Sequence, residues 1–184
     1  MAWLPQSDPR DDEELVRAIN QGDTDAFEVV YYRYRDWVVR LATRFTGHSD
    51  DALDVLQETF AYLLRRTPGL RLSARMTTFL YPVVRHISLA ARRKRLRCVG
   101  PDPDPEILSS PVPEGDSVRA GLAEAMAGLP EEQREVVLMR FVDDMELAEI
   151  AGALGLPVGT VKSRLHRALE RLQQDPHARR YFEM

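Results

Sequence analysis

The chain has a single cysteine, Cys98, among 184 residues. One thiol cannot close a disulfide within the chain and cannot build a cysteine-based zinc site. Long apolar runs are also missing. No stretch approaches the roughly 20 residues that a bilayer-crossing helix requires. Met1 to Glu14 is acidic and lacks the apolar core of a signal peptide, so a cytoplasmic protein is expected. Strand-type alternation of apolar and polar residues is absent, which leaves an all-α fold. No Gly-rich phosphate loop, nucleophile–base pair or metal cluster is present. Asp54 and Glu58 share a helix face at i, i+4, but no histidine stands at ligand spacing. The expectation is therefore no enzyme, no cofactor and no metal.

Hydrophobic residues make up 44% and charged residues 29%, so a packed core is possible and wholesale disorder is not expected. The net charge of −4 argues mildly against a nucleic-acid binder. The distribution removes the objection. Asp102, Asp104, Glu106, Glu114 and Asp116 fall in a stretch without a base, whereas Arg85, Arg92, Arg93, Lys94, Arg95 and Arg97 fall in one without an acid. Local field, not the total, guides a polyanion to a surface.

Helical periodicity predicts helices over residues 13–20, 25–46, 49–66 and 76–96. Gln21-Gly22-Asp23, Gly47 and Thr67-Pro68-Gly69 separate them, and Asp23 or Thr24 can cap the second. Pro82 removes a hydrogen bond inside the fourth, so a kink or a late helix start is expected there. Residues 99–116 contain five prolines and five acids and few apolar groups, the material of a linker. The chain thus reads as two small helical domains, 1–98 and 118–184, joined by a flexible acidic, Pro-rich linker over 99–117.

The second domain carries the strongest local pattern. Leu147, Ile150, Ala151 and Leu154 fall at i, i+3, i+4, i+7, Gly155 stands at a turn, and Pro157 suits a helix start. In the next helix, counting about 100° per residue from Leu165 clusters Val161, Ala168, Leu169 and Leu172 within about 60°. Thr160, Ser163 and Arg167 fall opposite, Arg164 and His166 flank them, and Lys162 lies nearer the apolar stripe and would have to reach sideways. This is a helix-turn-helix with a polar, basic outer helix. Arg and Lys bond guanine O6 and N7, Ser and Thr bond bases or phosphate, and Thr160 lies near a helix N-terminus suited to a phosphate. A merely solvated cationic face is the alternative.

Residues 129–141 (LPEEQREVVLMRF), Glu149-Ile-Ala and 159–168 (GTVKSRLHRA) resemble region 4 of bacterial sigma factors, most closely the extracytoplasmic-function (ECF) group. Asp25-Ala-Phe, Tyr31 with Tyr34, 51–60 (DALDVLQETF), Thr78-Phe-Leu-Tyr and the Arg92–Arg95 run resemble region 2 of the same group. The resemblance implies a chain that binds core RNA polymerase and directs promoter-specific initiation. Its first domain would recognise and melt the −10 element, and its second would read the −35 element. Asp51, Asp54, Gln57 and Glu58 would dock on the β′ clamp coiled coil, with the β flap as a second polymerase contact. Leu70, Arg71, Arg75, Phe79, His86, Arg92, Arg93 and Arg95 would serve the −10 element, and Phe79 and Tyr81 offer stacking faces. Thr160, Lys162, Ser163, Arg164, His166 and Arg167 would serve the −35 element. An anti-sigma protein is an expected partner. Phe79, His86 and Ala90 stand where the family commonly has Trp, Asn and Asp, and Leu70 where an aromatic is frequent, which suggests a divergent −10 preference. The competing functions are a stand-alone regulator, which would bind its operator without polymerase, and a helical interaction module that occupies polymerase without melting DNA.

Overall fold

The computed structural model describes residues 8–99, 117–176 and 178. They form eight α-helices, with no strand among the described residues. The chain divides into two compact units, 1–108 and 109–184. The segment read as a linker lies outside the described residues, apart from Val99 and Ser117, which end one helix and begin the next.

The first unit holds α1 (Asp12–Asn20), α2 (Thr24–Thr46), α3 (Ser49–Arg65) and α4 (Met76–Val99). Two aspartates start the first two helices. Asp11 accepts the Glu14 N–H at 2.8 Å while the Glu14 carboxylate accepts the Asp11 N–H at 3.0 Å, a reciprocal cap. Asp23 accepts the Ala26 N–H at 3.0 Å, and that bond is the main reason its carboxyl lies below the usual carboxylate range. Gly47 ends α2 with φ of 79°, a conformation that costs glycine little. The long α2 packs on α1, α3 and α4, and α3 packs on α4. Leu15, Val30, Leu41, Leu63 and Leu80 belong to this core with at most 1% exposure, so truncating any one of the leucines to Ala would cost about 2–5 kcal/mol.

A polar clasp secures the segment before α1. The Arg10 guanidinium meets Asp8 at 2.8 Å and Asp23 at 3.2 Å. Arg33 of α2 pairs with Asp12 at 3.0 Å and donates to the carbonyls of Asp8 and Arg10, both at 3.1 Å. Arg10 holds the Asp8 carboxyl down at about 2. The Tyr34 hydroxyl donates to Asp12, and burial, reinforced by that bond, pushes it above the ordinary phenol range.

Helix α4 begins at Met76, six residues before Pro82, so of the kink and the late start expected there the late start does not occur. Proline removes the N–H that the Thr78 carbonyl would have accepted. One expectation needs correction here. Tyr81 is fully buried and packs edge-on against Phe45, with ring centroids 6.2 Å apart, so it presents no stacking face.

The second unit holds α5 (Ser117–Ala127), α6 (Glu131–Phe141), α7 (Leu147–Leu154) and α8 (Val158–Gln174). Ala125, Leu129, Val137, Ala168, Leu172 and Ala178 form a buried cluster, with Leu122, Met126 and Leu165 packed against it. Two arginines hold the turns. Arg134 donates to the carbonyls of Ala127 and Leu129 at 3.0 and 2.9 Å, and Arg140 to that of Met145 at 3.1 Å. Between α6 and α7, Asp144 adopts φ of 51°, a left-handed conformation that is strained for a residue with a Cβ.

Candidate nucleic-acid interface

The turn between α7 and α8 sets the attitude of the outer helix. Gly155 sits at φ of 66°, and the Leu156 N–H returns to the Ala151 carbonyl at 2.9 Å. A Cβ at Gly155 would meet nothing within 4 Å, so glycine is required there by backbone conformation and not by space. Glu146 and Glu149 close a reciprocal cap at the start of α7. Helix α8 starts at Pro157 with no side-chain cap, which leaves the first N–H groups of the helix without an internal acceptor.

On α8 the buried residues are Val161, Ala168 and Leu172, while Leu165 and Leu169 are half-buried. The buried stripe is therefore centred about 40° to one side of Leu165. That shift moves Lys162 about 100° from the stripe's centre, which explains why it is exposed without reaching sideways. Lys162, Ser163, His166 and Arg167 are all exposed, and Thr160 and Arg164 are half-buried. Pro130, Glu132 and Gln133 of the α6 start and Gly159, Thr160, Ser163, Arg164 and Arg167 of α8 line an open groove of about 480 Å³. Arg164 is ion-paired with Glu132, and His166 lies 3.3 Å from Glu170 one turn on. Ser163 donates to the Gly159 carbonyl at 2.9 Å.

In the first unit, α3 turns Asp54, Gln57 and Glu58 outward. Leu53 and Leu64, 50% and 44% exposed, lie on one stripe with Gln57. Sequence reading missed both as surface residues: the helical spacing counts Leu64 with the core, and Leu53 falls outside the apolar set without being singled out. Asp51 differs from its neighbours: it is half-buried and paired with Arg95 of α4 at 3.3 Å.

The residues expected at the −10 element do not form one cluster. Leu70 is 5% exposed, and its N–H and carbonyl bond the Asn20 amide at 3.2 and 2.8 Å. It anchors the α3–α4 loop and does not face outward. Arg71 and Arg75 are exposed on that loop. Phe79, His86 and Arg93 recur at seven-residue spacing and share one stripe of α4, with His86 and Arg93 exposed. Arg92 and Arg95 lie on roughly the opposite side, Arg95 turned toward Asp51. Phe79 is half-buried beside Tyr62 of α3, with centroids 6.4 Å apart and planes 32° from parallel.

Residues 30–98 match the family description "Sigma-70 region 2", and residues 119–172 match "Sigma-70, region 4". The RNA polymerase sigma-E factor of Streptomyces antibioticus is 32% identical over 160 residues, covering 86% of this chain and 89% of that protein. The chain is an ECF-group member of the sigma-70 family. A second relative, the ECF RNA polymerase sigma factor SigW of Bacillus subtilis (strain 168), is 26% identical over 174 residues, covering 86% of this chain and 93% of its own. The fold is shared with CnrH, solved in complex with the cytosolic domain of CnrY, at a TM-score of 0.66 and 22% identity over 89% of this chain and 95% of that one. It is shared as well with RpoE of Bartonella quintana, solved with the anti-sigma factor NepR, at a TM-score of 0.62 and 22% identity over 80% and 94% of the two chains. This sigma factor directs promoter-specific initiation by RNA polymerase, through −35 recognition by its region 4 and −10 recognition by its region 2. It is a specificity factor and not an enzyme, since the polymerase makes the bonds. No helix among the described residues is long and apolar enough to cross a membrane.

Proposed function

We propose a division of labour among the residues of this sigma factor. Helix α8 enters the major groove of the −35 element with Lys162, Ser163, His166 and Arg167 outermost, while Thr160 and the uncapped helix start take a phosphate. Arg164 joins them from the groove where Glu132 holds it. The outward set on α8, aimed by a turn that only a left-handed residue can make, is the observation that carries this reading.

Asp54, Gln57 and Glu58 dock on the β′ clamp coiled coil, and the exposed Leu53 and Leu64 add the apolar contact such a patch requires. Asp51 acts at the edge of that face, already engaged with Arg95. The β flap is the second polymerase contact, made by unit 2. The −10 strand runs along the stripe of Phe79, His86 and Arg93, with Arg71 and Arg75 on the neighbouring loop and Leu70 as the loop's anchor. Arg92 and Arg95 supply field on the far side of α4. Residues 99–117 tether region 2, residues 1–98, to region 4, residues 118–184. The protein works in the cytoplasm beside its polymerase, and an anti-sigma factor is its partner, as RpoE of Bartonella quintana is solved in complex with the anti-sigma factor NepR.

The test is in vitro transcription with purified core polymerase on a pool of genomic fragments, with start sites then mapped. The reading expects a small set of starts with shared −35 and −10 sequences that vanish when this chain is omitted. Specific operator binding by the chain alone, with no added transcription, would overturn it.

A further inference from the structure

We propose that Glu132, the second residue of α6, is a specificity-determining residue of the −35 surface: it holds Arg164 back from phosphate and leaves it free to read a base edge. The proposal rests on reading α8 as the −35 recognition helix, and it adds a residue from a neighbouring helix to that reading.

The pair has a definite geometry. Arg164 Nη2 is ion-paired with Glu132 between α8 and the start of α6, and both residues line the open groove there together with Arg167. The arginine side chain is 23% exposed and the glutamate side chain 69%, so the carboxylate is the outer member. Lys162 and Arg167, the exposed cations on either side of it, have no ion pair among the described residues. Arg164 thus differs in kind from its neighbours on α8. An acid in the first turn of a helix is favourable in itself, because it faces the positive end of the helix dipole. Glu131 meets that need equally, on the same turn, and it too is exposed. The dipole does not require Glu132 to reach across to α8.

The consequence lies in what a paired guanidinium can do. Phosphate is the sequence-independent target of every free cation, and counterion release makes that contact strong whatever the bases are. To neutralise a phosphate, Arg164 would exchange one anion for another and leave the Glu132 carboxylate unpaired against the polyanion. That exchange gains little. A guanine edge is different, because O6 and N7 are neutral acceptors. A guanidinium has five N–H donors, and the ion pair engages it at Nη2, so Arg164 can donate to a guanine while it keeps Glu132. The carboxylate penalises the contact that carries no sequence information and spares the one that does.

The experiment uses holoenzyme, this chain with core polymerase. Its probes are a duplex carrying the strongest promoter found by in vitro transcription, the set of single −35 substitutions in it, and a promoter-free duplex of equal length, each titrated at several salt concentrations. Arg164→Ala first locates the −35 base pair that Arg164 reads, as the position where substitution ceases to matter. Glu132→Ala should tighten binding of the promoter-free duplex by about threefold, steepen its salt slope by about 0.9, and flatten discrimination at that same base pair. Glu132→Gln, which keeps the size and removes the charge, should do the same. Glu131→Ala, an equal change of charge one residue away, should leave the discrimination at wild type. Thermal midpoint and core affinity are measured on every variant. A wild-type salt slope in both Glu132 variants overturns the proposal, and so do equal effects of Glu131→Ala and Glu132→Ala, which would reduce the matter to general field. If Glu132→Ala unfolds, Glu132→Gln decides alone. Arg164→Ala with every −35 position discriminated as before also overturns it. A wild-type holoenzyme indifferent to all −35 substitutions removes the underlying reading as well, whereas a −35 preference that both Glu132 variants share unchanged removes this inference alone.

Discussion

The nucleic-acid surfaces proposed for the two units are built on opposite plans. In unit 2 one helix supplies the whole outward set: Lys162, Ser163, His166 and Arg167 succeed one another around α8. In unit 1 the corresponding surface is assembled from the α3–α4 loop and α4, and its Phe79 is seated across the α3–α4 packing beside Tyr62. Rigid duplex offers a regular groove that a single helix matches. An opened strand is irregular and flexible, and it takes residues from several elements to hold it.

The largest expected effect removes the surface that both plans depend on. Leu53→Asp places a charge in the proposed docking patch and should cost at least about 2 kcal/mol of core affinity, read by competition with a labelled sigma factor. Its folded state should be unchanged, since Leu53 is half exposed. Core affinity equal to wild type would take the leucine stripe out of the interface. Next comes Arg167→Ala. It should weaken −35 recognition by about 1–3 kcal/mol at one or two base pairs and leave single-strand −10 binding untouched. Loss spread evenly over all −35 sequences would make Arg167 a phosphate contact.

A matched pair of backbone changes sharpens the contrast further. Gly155→Ala forces a Cβ into the left-handed region and should destabilise unit 2 by about 1–2 kcal/mol, while Asp144→Gly relieves the same strain and should stabilise it by up to about 1 kcal/mol. Calorimetry on the full chain reads both, and equal signs would refute the account. The smallest effect lies in the clasp before α1. The Asp8 carboxyl is lowered in the folded state, so its contribution is full above the ordinary carboxylate range and fades as pH falls through about 2. Asp8→Asn should lower stability slightly at neutral pH, and its unfolding profile should converge with that of wild type in strong acid. Profiles that run parallel down to that acid limit would show the carboxylate charge to be irrelevant.

What was legible in the sequence tracks the same divide. Helices α2, α3 and α8 are found from periodicity and from punctuation at Asp23, Gly47 and Gly155, because local rules govern both. The outer face of α8 is found as well, for a helix's angular order is fixed by its own residues. Three things were not legible. Leu70 turns inward because Asn20, 50 residues earlier, captures its backbone. Asp51 is diverted by Arg95, 44 residues later. Glu132 gains meaning only beside Arg164. Each depends on which helix lies next to which, and periodicity carries no such information. The shift of the α8 stripe, and with it the exposure of Lys162, has the same origin: the direction of burial is set by α6 and α7, not by α8 alone.

The bond pair between Asn20 and Leu70 has a consequence for how such a surface changes over time. A side-chain amide that grips one residue's N–H and carbonyl together holds that backbone whatever side chains come next in the loop. Arg71, Ser73 and Ala74 can then be exchanged at the rim without loosening the core beneath. Exchange at these exposed positions would alter what the loop offers a strand while the grip beneath it stays put.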